Sequence, residues 1–387
     1  MGERRLKASR TLVAMSAFAM AGNTPLVVQP MFVGAMVDLL GLTERQAGLV
    51  ASFELTGLTV GILCLIGAIG RIGLHAFGLF AVSAIVAANV LTCFVSTFEW
   101  ILPLRFLSGV GAAAAFCVSS SMASSSPKPE HSFAVVNAIC IAYSGVLTLL
   151  TPFLLQTSGL PGIMLTLSFI TMCALLVIPW IRVADVSKVG GPPSVRVTAI
   201  PAPILLLLAM MLFLYTGHGA IWAYQERIGV AAGLSEQAVG KWLGLSMLVW
   251  GVGGSLLARL LSLSIGRIWP QTISLSASCL AVLLLVFGST PFAFATSSGL
   301  IAFSWFYGLP YQMGLLAARD PKGRAALAGT MMSTAGMAAG PAIAALLLVG
   351  RAHWPIGVFA GICYLCALTI ALPAARSVSR MVAIKAA

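Results

Sequence analysis

Two ionisable residues of this sequence lie inside long apolar stretches, where charge is costly and usually functional. Glu54 falls within the stretch 46–69 and Arg105 within the stretch 98–123. On a helix, Glu54 shares its face with small residues such as Gly57, which predicts that this face packs against protein. An ion pair with Arg105 is then geometrically allowed. We interpret Glu54 as a proton-titrating group and Arg105 as its partner, released when the helices shift. The alternatives are a fixed structural pair and an arginine that snorkels to the membrane interface.

His218 is a second candidate for proton exchange, because imidazole titrates near neutral pH. It lies between two glycines in the stretch 201–227, and these predict a weakened helix there. A histidine that only bonds a neighbouring backbone carbonyl fits the same pattern. Glu226 and Arg227, like Asp38, lie near the end of an apolar stretch and predict a solvated mouth.

Uncharged polar and aromatic residues inside the apolar stretches are the candidate contacts for a solute. If the two halves of the chain pack face to face, the first, fourth, seventh and tenth stretches line a central cavity, and most of the candidates lie on three of these. The predicted substrate-binding residues are Asn23, Gln29, Asn137, Tyr143, Tyr215, Trp222, Trp305, Tyr311 and Gln312. Single aromatic residues in such positions also serve as packing or interface residues.

Several other kinds of chemistry find no support in the sequence. It has no phosphate-binding Walker loop and no His-Glu-x-x-His zinc pattern, so neither an enzyme, a cofactor nor a metal is predicted. The eight cysteines all fall in apolar stretches, and the Cys363-x-x-Cys366 pair has no second pair to complete a metal site. Small apolar packing is the expected role of these cysteines.

The composition identifies the elements that position these residues. The chain of 387 residues is 59% hydrophobic and only 8% charged, which is too little polar surface for a soluble globule and predicts an integral membrane protein. A membrane-spanning helix needs roughly 20 apolar residues, and twelve such stretches fit the chain. The polar run 184–200 separates the first six of these stretches from the last six. We therefore predict an all-α membrane protein with an N-terminal six-helix bundle (1–183), a linker (184–200) and a C-terminal six-helix bundle (201–387).

Short internal repeats support a duplicated six-helix unit. Gly41-Leu42-Thr43-Glu44 recurs as Gly233-Leu234-Ser235-Glu236, and Gly70-Arg71-Ile72 recurs as Gly266-Arg267-Ile268 at a similar spacing. Repeated halves joined by a polar connector are typical of transporters. Prolines at 25 and 30 additionally predict that the first stretch, 11–40, is kinked.

The net charge of +12 reflects membrane topology and not nucleic-acid binding. Most of the 22 Lys and Arg residues fall at the two termini, in the linker and in alternate connections. By the positive-inside rule, both termini and the linker are cytoplasmic. The expected location is a bacterial inner membrane, crossed several times.

These features together resemble the major facilitator superfamily over essentially the whole chain. Besides the six-plus-six pattern, the stretch Arg105-Phe106-Leu107-Ser108-Gly109-Val110-Gly111-Ala112-Ala113 resembles the family's fourth-span motif R-x-x-Q-G-x-G-A-A, with Ser in place of Gln. The turn Gly70-Arg71-Ile72-Gly73 is similar to the family's cytoplasmic turn. The resemblance implies a drug- or sugar-efflux-like permease that works by alternating access, in which the arginine is associated with proton coupling.

The predicted function is therefore proton-coupled secondary transport of a small organic solute, neutral or weakly charged, by a monomer in the lipid bilayer. Two alternatives remain open on the same scaffold. One is a uniporter, in which Glu54 and Arg105 are structural. The other is a membrane protein that transports nothing, such as an assembly factor or chaperone.

Overall fold

A computed structural model of the chain describes residues 2–65, 68, 72–126, 129–181, 201–261, 268–288, 290–318, 320, 324–348 and 352–386. The chain divides into two compact units, Met1–Val195 and Arg196–Ala387. The predicted linker 184–200 lies outside the described residues. So do Gly70, Arg71, Gly266 and Arg267 of the repeated turn, and many of the basic residues on which the predicted topology rests.

The first unit is built from helices throughout its described part. They are α1 (Gly2–Gly22), α2 (Thr24–Val27), α3 (Gln29–Leu40), α4 (Glu44–Leu65), α5 (Leu74–Thr92), α6 (Phe98–Ser124) and α7 (Pro129–Cys173), followed by a 3₁₀ helix at Ala174–Trp180.

The first apolar stretch is broken twice, as its prolines predict. Helix α1 ends before Asn23, and α2 ends before Val28, whose φ of −110° and ψ of 10° are not helical. Pro25 and Pro30 stand in the first turns of α2 and α3. Proline has no amide hydrogen to donate to the preceding turn, so each proline begins a new helix where one helix would otherwise continue.

Helix α7 contains the fifth predicted span and the first half of the sixth, which the 3₁₀ helix continues. Gly159 interrupts it with φ 61° and ψ −156°, a backbone conformation that glycine adopts without strain. Pro161 follows two residues later and begins the returning segment.

Helices α4 and α6 approach each other more closely than side chains would allow. A Cβ added at Gly109 would collide with the carbonyl oxygen of Glu54, and one added at Gly57 would collide with that of Phe106. Small residues permit this kind of backbone contact between helices in membranes. The contact fixes the two helices that carry Glu54 and Arg105.

The second unit is likewise helical in its described part. Its elements are α8 (Ala202–Ala231), α9 (Glu236–Leu245), a π-helical turn (Ser246–Gly251), α10 (Val252–Leu261), α11 (Ile268–Phe287), α12 (Pro291–Ala317), α13 (Arg324–Leu347) and α14 (Trp354–Ala386). The π-helical turn within the eighth span has no counterpart in the sequence prediction.

Helix α8 corrects the expectation of a weakened helix at His218. It runs unbroken through Gly217 and Gly219. The two glycines serve close packing instead, because a Cβ at Gly217 would meet the ring of Tyr364 on α14 and one at Gly219 would meet the backbone of Met337 on α13.

Within the described residues, ten helices are long and apolar enough to cross a membrane, and one of these, His131–Trp180, contains two predicted spans. Large apolar side chains such as Phe94, Phe287 and Leu260 are at least three-quarters exposed on the outer surfaces. Such exposure is unfavourable in water and normal in lipid. The predicted all-α membrane fold is confirmed.

Candidate functional site

Glu54 and Arg105 face each other inside the first unit. The exposed fractions of the two residues are 4% and 1%, and Arg105 Nη1 lies 3.4 Å from Glu54 Oε1. Arg105 Nη2 donates a hydrogen bond of 2.9 Å to Thr92 Oγ1 at the end of α5. The ring of Phe32 on α3 lies 5.6 Å from the guanidinium carbon, within the range of a cation–π contact. Four helices therefore position this pair.

A small cavity adjoins the pair. It measures about 10 Å³, roughly the size of one water molecule. Its lining consists of Thr24, Pro25, Val28, Gln29, Phe32, Glu54, Arg105, Met164 and Leu167. Three buried polar atoms of this lining have no hydrogen-bond partner: Thr24 Oγ1, Gln29 Oε1 and Arg105 Nε. Unpartnered polar atoms of this kind are the hydrogen-bond partners that a buried water molecule needs.

The energetics of the pair favour keeping both charges together. Removing one partner of a buried ion pair leaves the other charge uncompensated, at roughly 3–5 kcal/mol. Carboxylates within a membrane are therefore held by partners or exchange protons. The geometry is compatible with both roles proposed from the sequence, a structural pair and a proton-exchanging pair.

The candidates Asn23 and Gln29 lie at the breaks of the first stretch. Asn23 Nδ2 donates to Ser144 Oγ on α7 at 3.1 Å, and Gln29 lines the cavity. The other two first-unit candidates, Asn137 and Tyr143, lie on α7 outside the cavity lining. Asn137 is exposed and Tyr143 half-buried.

The second unit gathers several candidates into an aromatic cluster, formed by Tyr215, His218, Trp222, Trp305 and Tyr364. The ring of His218 has its centre 5.7 Å from that of Trp305, 5.9 Å from Tyr215 and 5.2 Å from Tyr364. Trp305 also lies edge-on to Trp222 at 6.4 Å. Four of the five rings are buried, and Trp305 is half-buried.

His218 itself is anchored to its own helix. Its Nδ1 lies 2.9 Å from the carbonyl oxygen of Leu214, and the residue is fully buried. This is the arrangement of the alternative interpretation, a histidine that bonds a neighbouring carbonyl. The described residues place no carboxylate within ion-pair distance of it.

The two remaining candidates, Tyr311 and Gln312 of α12, are not members of the aromatic cluster. Tyr311 Oη donates to the carbonyl oxygen of Ala258 at 3.0 Å, and its ring packs against Tyr307. Gln312 is buried with neither amide atom hydrogen-bonded. Tyr311 therefore serves the packing of α12 against α10.

The expectation of a solvated mouth at Glu226 and Arg227 is wrong, whereas Asp38 is exposed as predicted. The exposed fractions of Glu226 and Arg227 are only 1% and 8%. Arg227 Nε and Nη2 donate to the two carboxylate oxygens of Glu226 at 2.6 and 2.9 Å. Such a bidentate bond neutralises both charges locally, which allows the helix end to be buried in protein.

The sequence did not identify three residues of these sites: Thr92, Phe32 and Tyr364. A threonine, a phenylalanine and a tyrosine in apolar helices look like ordinary packing residues. Their contacts with Arg105 and His218 depend on which helices are neighbours, which the residue types do not reveal. Among the described residues, no three His, Cys, Asp or Glu side chains lie close enough to hold a metal ion.

Comparison with solved structures gives the architecture a precedent. The chain superimposes on a mutant of the nucleoside transporter NupG with a TM-score of 0.70 and 11% sequence identity. The superposition covers 94% of this chain and 98% of the NupG chain. A D-xylose–proton symporter matches with a TM-score of 0.70 at 13% identity, over 92% of this chain and 96% of the other. The chain has the major facilitator fold. No protein-family model and no curated protein sequence matches it, so these similarities describe the fold alone.

Proposed function

We propose that this protein is a secondary active transporter that moves a small organic solute across a bacterial inner membrane, driven by protons through Glu54 and Arg105. Alternating access of the two six-helix units supplies the transport step. In this proposal the protein is a monomer with both termini in the cytoplasm.

The observation that carries the proposal is the buried Glu54–Arg105 pair beside a water-sized cavity. A structural ion pair needs no water beside it, whereas proton exchange needs a path to water. The unpartnered atoms Gln29 Oε1 and Thr24 Oγ1 give this largely apolar cavity a polar part. The fold precedent in a proton symporter and a nucleoside transporter adds support, at the level of architecture.

The aromatic cluster of the second unit supports a neutral solute. Half-buried Trp305 offers a flat apolar face beside four buried rings, and none of the five residues is a carboxylate, a lysine or an arginine. Aromatic faces with a few polar groups bind ring-shaped organic molecules. We propose that half-buried Trp305 provides the stacking surface for such a solute.

Backbone contact between α4 and α6 changes one detail of the mechanism expected from the sequence. In this proposal a shift between the two helices does not release the pair, because their close backbone contact at Gly57 and Gly109 opposes such a shift. The broken helices α2 and α3 cover the cavity, and Gln29 Nε2 reaches the Ala51 carbonyl at 3.5 Å. We propose that movement of these short helices opens Glu54 to water.

Transport with Glu54 replaced by Gln tests the proposal. A solute is first selected by thermal stabilisation of the purified protein with a panel of neutral sugars and nucleosides. Its uptake into proteoliposomes is then measured with and without an imposed pH gradient. We expect E54Q to remove the acceleration by the gradient, because the amide has no exchangeable carboxyl proton.

Glu44→Gln is the matched control, since Glu44 lies on the same helix in its first turn and is only half-buried. We expect E44Q to transport like the wild type. If E54Q keeps both its rate and its response to the gradient, the proton role of Glu54 is wrong. If solute uptake by the wild type does not respond to the pH gradient, the protein is a uniporter.

A further inference from the structure

Close backbone contact opposes separation of the two helices that carry Glu54 and Arg105. Gly57 stands three residues after Glu54, and Gly109 four residues after Arg105, so the backbone contact lies within one helical turn of the pair. When Glu54 takes up a proton, Arg105 remains at the same place with its own charge. Another group must then hold it.

Thr92 has the geometry for this task. Its hydroxyl accepts the hydrogen bond from Arg105 Nη2 at 2.9 Å, shorter than the 3.4 Å contact between Arg105 Nη1 and Glu54. The same hydroxyl donates its proton to the Ala88 carbonyl at 2.7 Å. Its lone pairs are therefore turned toward the guanidinium. The side chain is 1% exposed, so water does not compete for this bond.

We propose that Thr92 is the positioning residue for Arg105 in the protonated state of the site. This proposal rests on the proposed function, in which Glu54 exchanges protons. With Glu54 neutral, the Thr92 hydroxyl and the face of the Phe32 ring keep the guanidinium in place. A buried cation without such bonds is strongly unfavourable. Thr92 thereby keeps Arg105 ready to receive the carboxylate again.

Among the described residues, no other carboxylate is near enough to replace Glu54. The ionisable groups that face Arg105 are Glu54 from α4 and the thiol of Cys93, directly after α5. The cavity lining adds only uncharged residues from α2, α3 and α7. Helix α1, which also packs against α6, carries no ionisable side chain from Thr11 to Gly22.

The test compares the thermal midpoint of full-length protein in detergent from about pH 5 to about pH 9. The variants are T92V, which removes the hydroxyl at nearly constant shape, T92S, which keeps it, and T59V as a control. Thr59 lies on α4, half-buried, and its hydroxyl bonds only the Leu55 carbonyl of its own helix. Each is made in the wild type and in E54Q. Infrared spectroscopy follows the carboxyl band of Glu54, assigned as the band that E54Q lacks.

We expect T92V to lower the midpoint increasingly as the pH falls, by roughly 5 °C at the acid end, the size of a lost charged hydrogen bond. In E54Q the loss is present at every pH, because the neutral amide mimics the protonated site. T92S restores the wild-type profile, and T59V gives no pH-dependent loss.

Two results would overturn the proposal, and they differ. If the carboxyl band changes with pH but the T92V loss is the same at all pH values and in both backgrounds, Thr92 has only a structural role. If the carboxyl band does not change with pH, Glu54 does not exchange protons, and the proposed function fails together with the role of Thr92.

Discussion

At the scale of single residues, His218 and Glu54 are two buried ionisable groups with opposite surroundings. Glu54 adjoins a polar cavity and an arginine, whereas His218 is enclosed by three aromatic rings and bonded to Leu214 of its own helix. A group that exchanges protons needs access to water. The geometry therefore favours Glu54 for proton exchange and His218 for packing within the aromatic cluster.

Replacement of His218 by Phe separates these roles. We expect H218F to keep the pH dependence of transport, because an aromatic ring fills the same space between Tyr215, Trp305 and Tyr364. Proteoliposome uptake over a range of external pH measures this. His218→Ala is the companion variant: it leaves a cavity in the cluster, and a large-to-small change of this kind destabilises by roughly 2–5 kcal/mol. Loss of the pH response in H218F would instead return the proton role to His218.

Residue identity alone predicted the pair Glu54–Arg105 but not its supports. A charge in an apolar stretch stands out in any sequence, because it has no other reason to be there. Thr92 and Phe32 do not stand out, since threonine and phenylalanine are common in membrane helices. The burial of Glu226 and Arg227 was missed for a related reason. Adjacent opposite charges near a helix end look like a solvated surface unless the neighbouring helices are known.

At the scale of elements, the glycines show why a sequence pattern can be ambiguous. Prolines predicted the breaks after α1 and α2 correctly, because Pro25 and Pro30 stand in the first turns of α2 and α3, where the missing amide hydrogen is tolerated. Glycine has two uses, flexibility and close approach. At Gly217 and Gly219 the structure uses close approach, so the predicted weak point in α8 is a packing surface.

Gly109→Ala tests the backbone contact that fixes α4 to α6. The added methyl group would collide with the carbonyl oxygen of Glu54, which belongs to the backbone and cannot turn aside. We expect this overpacking to reduce the free energy of unfolding by about 1–3 kcal/mol or more. The measured results would be a lower thermal midpoint and slower transport.

The matched control for this substitution is Gly253→Ala in α10, where a Cβ would meet open space. There the greater helix propensity of alanine predicts an unchanged or slightly higher midpoint. A Gly109→Ala protein as stable and active as Gly253→Ala would show that α4 and α6 move apart readily, and the argument for Thr92 would lose its first step.

At the scale of the whole molecule, topology decides which end of α4 faces the outside of the cell. Helix α4 begins at Glu44, and Glu54 lies ten residues further, about 15 Å along the helix. The positive-inside rule places the beginning of α4 on the outer side. Eleven residues of α4 follow Glu54, so the carboxyl lies near the middle of the helix and about equally far from its two ends.

Cysteine labelling in intact bacterial cells checks this orientation. We expect Ser187→Cys, in the polar run between the two units, to react with a membrane-impermeant maleimide only after the cells are permeabilised. Ala232→Cys, at the exposed turn between α8 and α9, should react in intact cells. The unsubstituted chain, whose eight cysteines lie in apolar segments, measures the background. The reverse pattern of labelling would show that the molecule is inverted in the membrane and that the expected topology is wrong.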